Sequence, residues 1–251
     1  MNGFVLQAVA TLLVSLRIAP TLAFAQPFTL IRIPAIVRVL LAVALATWLV
    51  AGNPQATWRA PGWQAALPAV AAGELLLGIA LALALQLAFA ALLVAGRTID
   101  IQAGYGLAVL VDPSLRSQLP LIGTVLAYAG GAVFFATDGP ARLLAIWAAS
   151  LERAPLGSAF DMARSDVLIG YVSAVFLLAF GLAGLVLLVL FLLDLAIALM
   201  SRTLPQMNVL LLGFQVKTLA TLIMLPIALA LSGSLFATLI AYALDTMAAI
   251  A

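Results

Sequence analysis

Long apolar runs without charge alternate along the chain with short polar connections. Five runs contain no Asp, Glu, Lys or Arg: residues 39–58, 75–96, 117–137, 167–193 and 218–244. A helix of about 20 residues crosses the roughly 30 Å hydrocarbon core of a bilayer, so each run is long enough to span one. Continuous apolar runs also argue against a β-barrel, whose strands alternate polar and apolar positions. The pattern therefore predicts an all-α membrane protein.

Prolines and glycines divide the apolar sequence into about six predicted helical segments. They are residues 4–25, 34–52, 66–96, 118–136, 167–201 and 207–245. The runs 167–193 and 218–244 would each extend about 40 Å as straight helices, which is longer than one bilayer core. They are either tilted or bent into kinked helices and hairpins, and the possible bends are Gly181, Gly184, Pro226 and Gly233.

The connection from residue 138 to residue 166 is the only sizeable polar segment, so we predict one membrane-embedded domain over residues 1–251. At the N-terminal end, Ala23-Phe24-Ala25 matches the pattern before a signal-peptidase site. Arg17 and Pro20 interrupt the preceding apolar stretch, however, so we expect this segment to remain as a first, imperfect helix.

Composition removes most of the side chains that enzymes use. The chain has no Cys and no His, and only 8% of its residues are charged, against roughly 25% in an ordinary soluble domain. Thiolate nucleophiles, imidazole acid-base chemistry and Cys/His metal sites are therefore excluded. We expect no cofactor, no metal site and, since the 11 basic residues are scattered, no nucleic-acid partner.

Few ionisable side chains lie within the apolar segments, where each costs at least about 2.5 to 3.5 kcal/mol unless it meets a partner or water. The candidates are Arg17, Glu74, Arg97, Asp100, Asp194, Arg202, Lys217 and Asp245. Beyond Glu74, the residues Gly78, Ala82 and Gln86 lie four apart, which places them on one helix face. Small residues on such a face let another helix approach closely, and Gln86 can hydrogen-bond to that helix.

Two polar stretches interrupt the apolar pattern. In GRTIDIQAGYGLAVLVDPS, residues 96–114, Asp112 and Pro113 form a good helix start, and Gly104 permits an irregular backbone before it. The stretch is either a reentrant turn or an apolar loop able to close a pore by excluding water. In residues 200–218, Pro205 must break or kink a helix, and polar side chains around it can satisfy the freed carbonyls.

A longer series of residues, in a fixed order, carries a family resemblance. In the first half these are Arg17, Pro27, Pro34, Arg38, Glu74, Gly78, Gln86, Phe89, Ala95, Gly96, Gln102, Gly104, Asp112 and Pro113. In the second half they are Asp138, Gly139, Ser150, Pro155, Leu156, Gly157, Arg202, Pro205, Gln206, Asn208, Gly213, Phe214 and Lys217. In combination they resemble the FliR-type export gate proteins of bacterial flagella, a family that includes the injectisome SctT proteins.

The chain departs from the pattern of that family at four places. Gly139-Pro140 stands where the family usually has Gly-His, and Phe214-Gln215 where it often has Gly-Phe-Pro. Leu185 replaces a common proline, and Ala198 replaces a glycine before the RTLPQ motif. These differences affect the expected positions of bends.

The resemblance implies a subunit of a type III protein export gate in the bacterial inner membrane, at the flagellar basal body. It implies FliP- and FliQ-type membrane subunits as partners in a protein-conducting pore, an FlhB-type export switch protein, unfolded export substrates and membrane lipid. In such proteins the helices form kinked hairpins, and much of the complex is lifted out of the plane of the bilayer.

The resemblance also implies roles for particular residues. A pore plug would lie within residues 107–118, and its central residues are Leu107, Ala108, Val109, Leu110, Val111, Asp112 and Pro113. Structural or interface roles would fall to Arg17, Glu74, Gln86, Gln102, Gly104, Arg202, Pro205, Gln206 and Lys217.

Two other functions remain possible from the residues alone. A small-solute secondary transporter would also use broken helices and buried Arg/Asp pairs. An intramembrane enzyme would use Glu74, Asp112 or Asp194 as acid or base, although no paired-carboxylate motif or Ser/Lys nucleophile stands out. We therefore expect a protein that is not an enzyme.

Overall fold

The computed structural model describes residues 3–31, 33–57, 66–105, 120–158, 166–203 and 209–251. The regular structure in these ranges is helical. The helices are α1 (Gly3–Phe24), α2 (Ala35–Gly52), α3 (Pro54–Thr57), α4 (Leu67–Ala103), α5 (Leu121–Ala136), α6 (Gly139–Arg153), α7 (Asp166–Thr203), α8 (Val209–Leu231) and α9 (Gly233–Ile250).

Six helices within the described residues are long and apolar enough to cross a membrane. They are α1, α2, α4, α7, α8 and α9. A seventh span is possible if α5 and α6, which are bent by 71° relative to each other, count as one broken span. The predicted class, an all-α membrane protein with broken helices, is confirmed.

Helix α4 forms the centre of the fold, because α1, α5, α7 and α9 all pack against it. Its side chains are mainly Ala and Leu, and one face with Leu76 and Leu83 stays exposed while the others are buried. Leu85, Phe89 and Leu92 in its middle are fully buried. By contrast, α2 packs mainly on α1, and α8 mainly on α7, so both lie at the periphery.

Glycines bring the backbones of neighbouring helices into contact with α4. A Cβ atom on Gly78 would lie 2.6 Å from the carbonyl oxygen of Leu16 on α1. A Cβ atom on Gly96 would overlap the backbone of Gly123 on α5. The two contacts fix α1 and α5 against opposite halves of α4, as small residues do in helix packing within membranes.

The structure corrects two predicted helix ends and adds one helix. Helix α4 continues to Ala103, whereas the sequence pattern ended it at residue 96, because Gly96 packs against Gly123 and Asp100 bonds the start of α5. Helix α5 begins at Leu121, and the expected helix start at Asp112 and Pro113 lies outside the described residues. The polar connection 138–166 also contains a helix, α6, which the search for membrane-length apolar runs missed.

Helix α6 follows a sharp turn at Asp138, whose φ of 56° is in the left-handed region. Its apolar face, with Leu143, Trp147 and Leu151, is buried against the bundle. The helix is therefore amphipathic and is stabilised by packing rather than by overall hydrophobicity.

The two overlong runs differ in the structure. Residues 167–193 lie within α7, a helix of 38 residues that extends about 57 Å and that neither Gly181 nor Gly184 ends. Residues 218–244 are divided at Ser232, between α8 and α9, while Pro226 lies inside α8. The first run is thus one long helix and the second is broken.

Candidate functional site

A buried ion pair joins α1 to α4. The Arg17 Nε atom lies 2.7 Å from Glu74 Oε2, and Arg17 Nη2 donates a 3.0 Å hydrogen bond to Glu74 Oε1. The two side chains are only 1% and 4% exposed. The geometry is the bidentate fork that guanidinium and carboxylate groups favour, so the two charges compensate each other inside the bundle.

Helix α6 completes the surroundings of Arg17. The Nη1 atom of Arg17 donates a 3.0 Å hydrogen bond to Ser150 Oγ, and Nη2 donates a 2.8 Å hydrogen bond to the carbonyl oxygen of Ala154. We call these residues, with Glu74, the Arg17 cluster. Through this cluster the guanidinium group of α1 is bonded to α4 and to the C-terminal end of α6. The guanidinium group is therefore occupied within the chain, which indicates a structural role rather than a site open to a ligand.

Gln86 lies farther along the same face of α4. Its Oε1 atom accepts a 3.0 Å hydrogen bond from the backbone N–H of Gln26, just after α1 ends. Together with the contact at Gly78, this bond places the C-terminal part of α1 against α4. Gln86 therefore makes its contact within the chain.

The end of α4 forms a second group of contacts, which we call the α4 end. Gly104 has a φ of +90°, and its N–H bonds the carbonyl of Ile101, while the N–H of Tyr105 bonds that of Asp100 at 2.9 Å. These two hydrogen bonds end the helix in the way that is common when a glycine in the left-handed conformation follows it. Desolvation raises the pKa of the Tyr105 phenol above its ordinary value, so it stays protonated at neutral pH.

Helix α8 contacts the α4 end through two residues. Lys217 Nζ donates a 3.2 Å hydrogen bond to the carbonyl oxygen of Gln102, and the same ammonium group pairs with Asp194 of α7. A Cβ atom on Gly104 would lie 3.1 Å from the Phe214 ring, so glycine also makes room for that ring. Lys217 therefore connects α4, α7 and α8.

A third contact joins the α4 end to α5. Asp100, which is 2% exposed, accepts a 3.1 Å hydrogen bond on Oδ1 from the backbone N–H of Ile122. In the chain, residues 106–119 lie between Asp100 and Ile122, and they are outside the described residues. The Asp100 side chain thus joins the described helix before that stretch to the described helix after it.

The structure brings together only some of the residues singled out by the sequence. Arg17 pairs with Glu74, whereas Gln102 and Gly104 meet Lys217 and Phe214 at the α4 end. Arg202 is exposed in the last turn of α7. Outside the described residues lie Leu107, Ala108, Val109, Leu110, Val111, Asp112, Pro113, Pro205 and Gln206.

The sequence did not show which polar residues pair. Ser150 and the carbonyl of Ala154 lie in a segment interpreted as a polar connection, so their contact with Arg17 was missed. Asp194 and Asp100 were noted only as ionisable residues in apolar helices. An amphipathic periodicity search over residues 139–153 is the signal that would have identified α6 and placed Ser150 on its buried side.

Comparisons with known proteins identify the family of the chain. The family described as Bacterial export proteins, family 1, matches residues 8–243. The flagellar biosynthetic protein FliR of Bacillus subtilis (strain 168) is 29% identical over 180 residues, which cover 69% of this chain and 69% of that protein. The FliR protein of Escherichia coli (strain K12) is 28% identical over 148 residues, which cover 58% of this chain and 56% of that protein.

A translocation protein is similar to this chain over the same number of residues as the Escherichia coli protein. The Yop proteins translocation protein T of Yersinia pestis is 30% identical over 148 residues, which cover 58% of this chain and 57% of that protein. This chain therefore aligns with little more than half the length of that protein and of the Escherichia coli one. The predicted FliR/SctT resemblance is confirmed, and the chain belongs to the family of bacterial export proteins, family 1.

Proposed function

We propose that the chain is a subunit of a type III protein export gate and forms a protein-conducting pore with FliP- and FliQ-type membrane subunits. The family match over residues 8–243 supports the export function. The six membrane-length helices support a location in the bacterial inner membrane, and we place the protein there at the flagellar basal body. An FlhB-type switch protein and unfolded export substrates are the further partners.

The observation that carries a subunit role is the exposure of apolar side chains on α7 and α8. On α7 and α8, large apolar side chains such as Leu177 and Leu222 are exposed by 76% and 63%. The Asp194–Lys217 ion pair lies on the same two helices, and 42% of the Asp194 side chain is exposed. Lipid tails would leave this pair poorly solvated, which favours neighbouring protein as at least part of the covering.

The helix lengths support a position partly outside the bilayer plane. Helices α4 and α7, with 37 and 38 residues, extend about 55 Å, whereas the hydrocarbon core is about 30 Å thick. Tilt alone absorbs a smaller mismatch than this. An assembly that rises above the bilayer accommodates both helices.

The flagellar machine is favoured by one alignment, although the Escherichia coli flagellar protein covers the same 58% of this chain as the Yersinia pestis protein. The Bacillus subtilis flagellar protein aligns over 69% of this chain, whereas the Yersinia pestis translocation protein aligns over 58%. We therefore propose flagellar substrates for the pore.

Purification with and without partners tests the subunit role. The chain should be unstable or polydisperse when expressed alone and should form a discrete complex when FliP- and FliQ-type subunits are expressed with it. Size-exclusion chromatography with light scattering measures both states. A monodisperse chain that binds small solutes on its own would contradict the proposal and favour the secondary transporter.

We also propose that Leu107, Ala108, Val109, Leu110, Val111, Asp112 and Pro113 form the pore plug. Its support is the apolar composition of this stretch and the anchoring of its flanks through Asp100. Deleting residues 107–110 should leave the complex assembled and make it leak ions, because a hydrophobic constriction would be lost. Conductance of the purified complex in planar bilayers measures the leak, and an intact barrier after the deletion would refute the plug.

The other two functions find little support among the described residues. The Arg17 cluster pairs its buried charges within the chain, so it presents no charge to a transported solute. Of the candidate acids or bases of an intramembrane enzyme, Glu74 is occupied by Arg17 and Asp194 pairs with Lys217, while Asp112 lies outside the described residues. We propose that the protein has no enzymatic activity of its own.

A further inference from the structure

Asp100 uses two different groups to hold the ends of two helices. Its backbone carbonyl accepts the N–H of Tyr105 at 2.9 Å, which closes α4. Its side-chain Oδ1 accepts the N–H of Ile122 at 3.1 Å, in the first turn of α5. A single residue therefore ends one helix and caps the next, although 22 residues separate it from Ile122.

The cap is needed because α5 provides none of its own. The first N–H groups of a helix have no partner within the helix, and a side chain just before it usually accepts one of them. Pro120 occupies that position and makes no side-chain cap. Asp100 supplies the missing acceptor from another helix, and a carboxylate near a helix N-terminus is also favoured by the helix dipole.

The packing around Asp100 leaves the two helix ends little freedom to separate. Gly96 and Gly123 bring the backbones of α4 and α5 into contact one turn away from the hydrogen bond. Asp100 is 2% exposed and Ile122 is 3% exposed, so water does not compete for the bond.

We propose that Asp100 is a positioning residue that keeps the end of α4 and the start of α5 joined in the assembled export gate. Its importance for export rests on the proposed function, since these helix ends flank residues 106–119. The required chemistry is one buried acceptor oxygen at Oδ1. The other oxygen, Oδ2, has no hydrogen-bond partner among the described residues, so an amide can replace the carboxylate.

Hydrogen exchange at Ile122 in the assembled complex tests the proposal. Asp100→Ala should make this amide exchange at least about tenfold faster, because a hydrogen bond to a charged group is lost. Asp100→Asn, which keeps Oδ1, should stay within roughly threefold of the wild type. Thr98→Ala is the matched control, since the Thr98 hydroxyl bonds the carbonyl of Ala95 in its own helix.

Unchanged exchange at Ile122 in Asp100→Ala would overturn the proposal, and so would equal acceleration in the Ala and Asn variants. If Asp100→Ala prevents assembly, Asp100→Asn decides alone, and exchange accelerated more than about tenfold would refute the role of Oδ1. Ion conductance of the same complexes is a separate readout. Faster exchange in Asp100→Ala without added conductance would refute the link to the pore, whereas the hydrogen-bond result stands independently.

Discussion

In the Arg17 cluster, the buried charge of Arg17 is compensated by Glu74. Arg17 and Glu74 are separated by 57 residues in the chain, so no local pattern indicates that they meet. The sequence identified both as residues that need a partner in an apolar helix, because an isolated charge there is costly. It could not assign the partner, since that depends on how α1 rotates against α4.

Removing one member of this pair should be much more harmful than removing both. Arg17→Met leaves the Glu74 carboxylate buried without a counter-charge and should lower the free energy of unfolding by about 3 to 5 kcal/mol. The double variant Arg17→Met/Glu74→Met should recover much of that loss, because apolar replacement of a buried pair is often near neutral. Thermal unfolding of the purified complex in detergent measures both.

The chain offers an exposed pair as the control for this experiment. Arg142 and Asp245 form a 2.7 Å ion pair whose side chains are 43% and 66% exposed. Arg142→Met should change stability by no more than about 1 kcal/mol, because solvent screens the pair. Equal losses in Arg17→Met and Arg142→Met would contradict a stabilising role for burial of the Arg17 cluster.

At the scale of elements, contacts between helices decide where helices end. Hydropathy alone located α1, α2, α7 and the region of α8 and α9, because their apolar runs are long. It stopped α4 too early, since Gly96 usually marks a break, whereas here it makes the contact with Gly123. It overlooked α6, whose 15 residues are too short and too polar for a membrane span.

Gly96→Ala should therefore weaken the α4–α5 pair. The added methyl group would overlap the backbone of Gly123, and forcing two backbones apart should cost about 1 to 3 kcal/mol or more. Gly181→Ala in α7 is the matched control, because nothing lies within 4 Å of its Cβ position. That substitution should be neutral or stabilise by up to about 1 kcal/mol, as alanine favours a helix. Similar melting temperatures for the two variants would exclude a tight contact at Gly96.

At the scale of the molecule, a well-buried centre is surrounded by helices that are only partly covered. Leu85, Phe89 and Leu92 in the middle of α4 are fully buried, whereas only 17% of the membrane-length part of α8 is buried within the chain. Membrane helices were predictable from hydropathy, but a surface covered by lipid and one covered by a partner protein are both apolar. The sequence pattern therefore could not predict which of the two covers α8.

Shortening the outward side chains of α8 should separate folding from assembly. Leu219, Leu222 and Ile223 are 60%, 63% and 54% exposed, so replacing all three with alanine should leave the helix content unchanged. If partner subunits pack there, the triple variant should bind them more weakly. The loss of binding free energy should be about 1 kcal/mol or more for each side chain at the centre of the contact. Circular dichroism measures folding, and quantitative co-purification measures assembly.

The fully buried Leu92 provides the comparison. Leu92→Ala should instead destabilise the chain itself, by about 2 to 5 kcal/mol, because it opens a cavity beside Gly130 of α5. Undiminished co-purification of the α8 triple variant would indicate that lipid covers this face.

The Arg17 cluster also has a consequence for the order of events during synthesis. Glu74 is made well before α6, and Ser150 and the carbonyl of Ala154 follow Glu74 about 75 to 80 residues later. At typical elongation rates of about 5 to 20 residues per second, this interval is roughly 4 to 16 seconds. During that time Arg17 of α1 and Glu74 of α4 can already form a neutral pair. The later arrival of α6 then adds the remaining acceptors and completes the junction.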